Sequence, residues 1–335
     1  MEKNFNQLFQ INLYKAILLL VAFFASLNAQ SFENLDRQVL NDLQINEELS
    51  ALEFDPVSGK KEKIIIAGDS WAVFPCLFGS MRRMLHDNDY PLVSDKRCFR
   101  TSRLGIRANQ WLGSGPDVRL TRFLKNDTRI KYIYLSLGGN DVMTYWNTSF
   151  KPEDEQKLFQ MAYDIMEKII AKYSKLRPDV KIIISGYDYG RLADRNLIPL
   201  YTMIYHRMHN PTPEQLNNLL TRFSDSFQNL ANGRNIFYIQ HLGLSHYYNG
   251  VPEKGLPAYK TMSPDEISSH TFPAKFGGDR KLPNGKKSML NWIGLSRDAI
   301  HLSSKNYYYT MKHTYDNVIK FIINQSTSET TNLQK

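Results

Sequence analysis

Short, nearly unbroken apolar runs recur along the chain, each followed by a glycine or polar turn and then, in most cases, by a segment with a helical repeat. The first run, at 63–71 (KIIIAGDSW), predicts a buried strand that stops at Gly68 and feeds a helix over 72–86. A weaker strand candidate lies at 92–100. A clear one follows at 131–137 (KYIYLSL), ending in Gly138-Gly139-Asn140-Asp141. The helix predicted over 153–173 places Leu158, Met161, Ala162, Ile165, Ile169 and Tyr173 on one face. Residues 180–185 (VKIIIS) form the next strand, running into Gly186-Tyr187-Asp188-Tyr189. A helix over 213–230 carries Thr212 as N-cap, Pro213 in its first turn and Gln215 in the capping-box position. A fifth strand is expected at 235–240 (NIFYIQ), and a closing helix at 304–323. Strands alternating with helices, and apolar without interruption, predict an α/β protein whose parallel sheet is covered on both faces.

The ends and one interior stretch break this rhythm. Lys3 and Lys15 precede an uncharged apolar run, 16–27, and then Asn28-Ala29-Gln30, so residues 1–29 read as a secretory signal peptide cleaved after Ala29. The run is short for a bilayer span, and no stable membrane span is expected once it is removed. Residues 30–62 are a polar lead-in, 63–325 the folded domain and 326–335 a polar tail. From 241 to 297 periodicity is lost among Gly, Pro, Tyr and Lys, which predicts an ordered excursion over the functional site.

The formal charge of +9 drops to about +8 when the leader takes Lys3, Lys15 and Glu2 with it. Basic residues are scattered and form no nucleic-acid motif, so a solvated surface accounts for them and no nucleic-acid partner is expected. Cys76 and Cys98 are the only cysteines, which excludes a disulfide-dense scaffold and a multi-cysteine zinc site. Two buried thiols are the leading reading, with a disulfide the alternative open to an exported protein.

Three strands end in Gly-polar clusters, which brings those clusters to the carboxyl edge of the sheet, where open α/β proteins bind ligands. Ser70 stands there, and it reads equally as a helix cap or as a nucleophile. A nucleophilic serine needs a base held by a carboxylate, and Asp298-Ala299-Ile300-His301 offers both from one turn before the last helix; an ordinary surface pair has the same spacing. Acyl transfer also needs donors for a developing oxyanion. The backbone N–H groups of Ser70 and Gly105 and the side-chain amide of Asn140 are the candidates, each also explicable as turn chemistry. His206, His209, His241 and His246 lack a completing carboxylate or cysteine, so no metal is assigned.

Together these residues resemble the SGNH (GDSL) hydrolase family. Gly68-Asp69-Ser70 matches its first block, Gly105 the glycine of its second, Gly139-Asn140-Asp141 its third and Asp298-x-x-His301 its last, in the family's order. The resemblance implies a three-layer, flavodoxin-like α/β/α sandwich with a five-stranded parallel sheet. It also implies a serine esterase in which Ser70 is the nucleophile, His301 the base and Asp298 its orienter, with an oxyanion hole from Ser70, Gly105 and Asn140. No cofactor is called for. The expected substrates are small-molecule, glycan or lipid esters, such as acetylated carbohydrates or acyl lipids; the alternatives are O-acyl transfer at the same site, or a non-catalytic carbohydrate-binding protein on this fold. No G-x-S-x-G occurs, which excludes the nucleophile elbow of the larger α/β hydrolases. Trp71, Arg103, Tyr187 and Asp188, with Arg107, Trp111, Tyr145 and Trp146, adjoin the blocks and are candidates to line a substrate pocket. Export to a periplasm or to the cell exterior follows from the leader.

Overall fold

The computed structural model describes residues 61–193, 199–261, 278–292 and 296–324. The expected signal peptide, nearly all of the expected lead-in, the polar tail and residues 262–277 and 293–295 of the expected excursion lie outside the described residues.

Five strands form one parallel sheet: β1 (Glu62–Gly68), β2 (Leu92–Ser94), β3 (Ile130–Ser136), β4 (Lys181–Ser185) and β5 (Ile236–Ile239). Their order is β2-β1-β3-β4-β5, all pairs parallel. Strand order reverses between β1 and β3, so the crevice at the carboxyl ends of these two strands is the place where this topology binds ligands. The strands are apolar through their centres because alternate residues feed two separate cores. Ile65, Ala67, Ile133, Leu135, Ile182, Ile184 and Ile236 face one side; Ile64, Ile66, Tyr132, Tyr134, Ile183, Phe237 and Ile239 face the other.

The first face packs on α3 (Gly115–Asn126), α5 (Pro152–Leu176) and α7 (Pro213–Gln228), through Leu120 and Leu124, Ala162, Ile169 and Tyr173, and Leu219, Phe223 and Phe227. The second packs on α2 (Ser80–Asp87) and α9 (Ser304–Thr314), with Met81, Met84 and Leu85 meeting Met311, Tyr315 and Ile319. The result is the α/β/α sandwich expected from the sequence. At Thr212 the expected capping box is present: its hydroxyl accepts from the Gln215 N–H, and the Gln215 side chain accepts from the Thr212 N–H.

Four local expectations are corrected. The helix expected over 72–86 is two helices, α1 (Ser70–Leu77) and α2, separated at Gly79, whose left-handed φ of 61° redirects the chain after Pro75 has removed a backbone donor. The strand expected over 92–100 stops at Ser94, because Asp95 caps a 3₁₀ turn over Lys96–Arg100. The closing helix changes to a π-helical turn at Tyr315–Ile319. Cys76 and Cys98, read first as buried thiols, form a disulfide that ties the end of α1 to that 3₁₀ turn.

The excursion contains α8 (Leu244–Asn249) and a strand β6 (Met289–Trp292), which pairs antiparallel with β7 (Ser296–Leu302). Two short helices complete the described set that bears on the site, α4 (Gly139–Tyr145) and α6 (Pro199–Arg207). Among the described residues no helix is long and apolar enough to cross a membrane.

Candidate active site

Gly68 ends β1 at φ 135°, and a Cβ there would lie 1.9 Å from the Ser136 carbonyl oxygen, so only glycine lets β1 and β3 run side by side into the turn. Asp69 then caps α1, its carboxylate accepting from the Trp71 N–H at 2.9 Å. Ser70 is therefore the first residue of α1 rather than its cap, 6% exposed at the carboxyl end of β1. The cap role that competed for Ser70 in the sequence belongs to its neighbour.

The segment carrying Gly105 hangs from β1. The Thr101 hydroxyl donates to the Ile66 carbonyl at 2.7 Å, the Gly68 N–H to the Thr101 carbonyl at 3.1 Å, and the Arg103 N–H to the Gly68 carbonyl at 2.9 Å. Gly105 is exposed at φ 68°, and nothing lies within 4 Å of where a Cβ would be. Glycine there serves the backbone conformation rather than close packing.

The turn after β3 is fastened to the same segment. The Asn140 amide donates to the Ile106 carbonyl at 3.0 Å, and Asp141, fully buried, accepts from the Ala108 N–H at 2.7 Å. Burial raises the Asp141 carboxyl, and the N–H groups of Ala108 and Asn109 offset part of that rise. One amide hydrogen of Asn140 is used to hold the side chain, and an amide carries two. The three candidate oxyanion donors thus sit on a hydrogen-bonded frame built from the ends of β1 and β3.

Asp298 and His301 do not come from a simple turn, as expected, but from a bulge in β7. Met289 pairs with Leu302 and Asn291 with Arg297, so the single residue Leu290 stands opposite the four residues Asp298–His301. Inside the bulge Asp298 is fully buried. One carboxylate oxygen accepts the N–H groups of Ile300 and His301, both at 2.7 Å; the other lies 2.9 Å from His301 Nδ1. Burial alone would raise the Asp298 carboxyl, but the neighbouring His301 and these hydrogen bonds outweigh it and hold it below its ordinary value. The imidazole is 12% exposed and packs on Phe74 with ring centroids 4.4 Å apart. Phe74 is one helical turn after Ser70, so this contact places the histidine beside the same face of α1. The bulge is braced on its far side by the Arg191 N–H, which donates to the Ala299 carbonyl at 2.7 Å.

Several candidates for a substrate pocket have partners within the fold. Trp71 is 3% exposed, wedged edge-on against Tyr187 and Tyr307. Tyr187 donates its hydroxyl to Asp69 at 2.6 Å and accepts from the Gly139 N–H at 2.9 Å, which joins the first block to the third from behind. Burial lifts the Asp69 carboxyl to about 7, against the lowering effect of these hydrogen bonds. Asp188, buried, accepts three backbone N–H groups, from Tyr189, Gly243 and Ser245, and so pins the start of the excursion to the end of β4. Trp111 donates to the Tyr173 hydroxyl and Trp146 to Glu155. Arg103 is half-buried, with its backbone N–H on Gly68. Arg107 and Tyr145 pair with each other: the guanidinium bonds the phenol and lies over its ring. A shallow hollow of about 440 Å³ is lined by Tyr145, Phe150, Asp154, Lys157, Leu158 and Met161.

Among the described residues no group of three or more His, Cys, Asp or Glu side chains is placed to hold a metal. His241 faces His313 at 3.2 Å, and His206 pairs with Asn210. The residue that sequence reasoning missed is Tyr201 of α6, whose hydroxyl donates to Asp298 at 2.7 Å. A tyrosine in a short helix almost a hundred residues before its partner leaves no spacing signal.

The sheet order decides the architecture. The fold is a three-layer α/β/α sandwich around a five-stranded parallel sheet. No family model and no curated protein matches the chain. Among solved structures, the chain is similar to a carbohydrate acetylesterase from Sinorhizobium meliloti at 12% identity, with a TM-score of 0.42 and coverage of 78% of this chain and 100% of the other. It is similar to the periplasmic domain of a lipopolysaccharide acetyltransferase from Salmonella ser. Paratyphi A at 14% identity, with a TM-score of 0.42 and coverage of 88% and 99%. A family 3 carbohydrate esterase from Clostridium thermocellum aligns at 13% identity, with a TM-score of 0.37 and coverage of 79% and 99%. Likenesses this remote say nothing about substrate.

Proposed function

We propose that this protein is an exported serine hydrolase of the SGNH type, cleaving carboxylic esters through an acyl-enzyme. Ser70 Oγ attacks the ester carbonyl while His301 takes its proton, and the new oxyanion is met by the N–H groups of Ser70 and Gly105 and the amide of Asn140. Collapse breaks the bond to the alcohol, which leaves with the proton from His301. Water then attacks the acyl-Ser70 ester by the same route in reverse, releasing the acid and restoring the serine. Asp298, ionised and fully buried, keeps the imidazole oriented and stabilises its protonated form.

The observation that supports this reading is the contact of the His301 ring with Phe74, one helical turn after Ser70 in α1, with Asp298 bonded to that imidazole and Asn140 bonded to the segment that carries Gly105. Short acyl esters on carbohydrates, or acyl lipids, are the substrate classes to try first. The mature chain, with its leader removed, is assayed on a panel of acetylated glycans, lysophospholipids, thioesters and p-nitrophenyl esters, with Ser70→Ala as control. Release of free acid that disappears in Ser70→Ala supports the proposal. Acyl product on an added sugar or alcohol in preference to water makes the protein a transferase, and full activity in Ser70→Ala removes the serine from the mechanism.

A further inference from the structure

Asp298 accepts one hydrogen bond more than an orienting carboxylate needs. Its outer oxygen, 2.9 Å from His301 Nδ1, is also 2.7 Å from the hydroxyl of Tyr201, and that hydroxyl is in turn 3.2 Å from Nδ1. Three polar atoms from two distant parts of the chain form a closed triangle. Tyr201 is 6% exposed and belongs to the main core, so its ring is held by packing and its hydroxyl has no freedom to swing to water.

We propose that Tyr201 is a positioning residue that fixes the tautomer of His301 and sets how strongly Asp298 assists it. Resting on the serine-hydrolase reading above, the argument follows from counting hydrogens. A phenol has one proton to give. Burial and the charge of Asp298 push the Tyr201 hydroxyl well above its ordinary value, so it stays protonated, and the charged carboxylate is the stronger acceptor for that proton. With its proton committed to Asp298, Tyr201 Oη has only lone pairs to offer the imidazole. Nδ1 then meets two acceptors and must carry hydrogen, which leaves Nε2 bare as the base. A second consequence concerns charge. The phenol neutralises part of the charge on the oxygen that His301 uses, so Asp298 stabilises an imidazolium less than it would alone. Other titratable groups also face this triangle: Tyr307 from α9 and Asp69 before α1. Neither makes a third side of it.

Tyr201→Phe keeps the ring and its packing and removes only the hydroxyl. The acid limb of kcat/KM against pH is expected to move up by about half a unit or more, as Asp298 regains its full charge toward the imidazole. kcat at the plateau should fall about three- to tenfold as the ring loses its second acceptor. A merely structural tyrosine would lower the melting temperature and leave the limb in place. The companion measurement needs no turnover: ¹⁵N-histidine NMR in the Ser70→Ala background, with and without Tyr201→Phe, reads the Nδ1–H tautomer and the titration midpoint of His301. An upward shift of that midpoint supports the proposal, even if the wild type hydrolyses no ester and the functional reading fails. Ser70-dependent turnover with an unmoved limb and an unmoved midpoint in Tyr201→Phe overturns it and leaves the functional reading standing.

Discussion

The Cys76–Cys98 disulfide sets an expectation that can be worked from its loop. The two residues are 22 apart, and closing a loop of that size in the unfolded chain costs it conformational entropy worth about 3 kcal/mol at 25 °C. In a domain of this size each kcal/mol is about 2–4 °C of melting temperature, so opening the bond should lower the transition by roughly 6–12 °C. The bond joins the end of α1 to the 3₁₀ turn that leads into Thr101, and Thr101 supports β1 beside the Gly105 segment. That support is also carried by backbone hydrogen bonds, so kcat measured well below the transition should change little. The assay is thermal and guanidinium unfolding of mature protein, oxidised and then reduced with the thiol state confirmed by mass, alongside Cys76→Ser/Cys98→Ser. Coincident midpoints for the oxidised and reduced forms would refute the reasoning.

Two further outcomes are expected. Under the proposed mechanism Asn140→Ala should lower kcat by about 10² to 10³ with little change in KM, because the amide would act on the oxyanion and not on the resting ester; steady-state kinetics on any accepted ester decides it. Asp69 should make stability depend on pH: its folded value, about 7, lies above the ordinary carboxylate range near 4, so the folded state holds a proton that the unfolded state has lost. Stability from this group is greatest at low pH and falls as pH rises through the window from 4 to 7, by about 3 kcal/mol between pH 5 and 8. Urea unfolding at those two pH values should show the drop in wild type and a flatter profile in Asp69→Asn; an equal slope in both would assign the dependence elsewhere.

Much of the architecture was legible because parallel strands buried on both faces are apolar through their centres, as the runs at β1, β3 and β4 are. The four blocks stood out in the sequence because glycine and polar residues cluster just after buried apolar runs or, for Asp298 and His301, just before the last helix. What escaped had no local signature. Tyr201 and Tyr187 act through partners about a hundred residues away, and only packing brings them there. Asp188 looked like a pocket residue because it follows a strand, yet its carboxylate accepts three backbone N–H groups, one from Tyr189 and two from the excursion. The break at Gly79 was hidden because the apolar repeat continues across it, and the bulge that presents Asp298 and His301 was hidden because pairing with β6, not the four residues themselves, creates it.

The central claim is that Ser70 is an activated nucleophile. Its most direct measurement is covalent labelling of the mature protein with a fluorophosphonate, followed by intact-mass and peptide mapping. The account predicts one adduct, on Ser70, that is absent in Ser70→Ala and strongly slowed in a His301→Ala variant. A folded, disulfide-bonded protein that takes no label, or takes it at another residue, would contradict it.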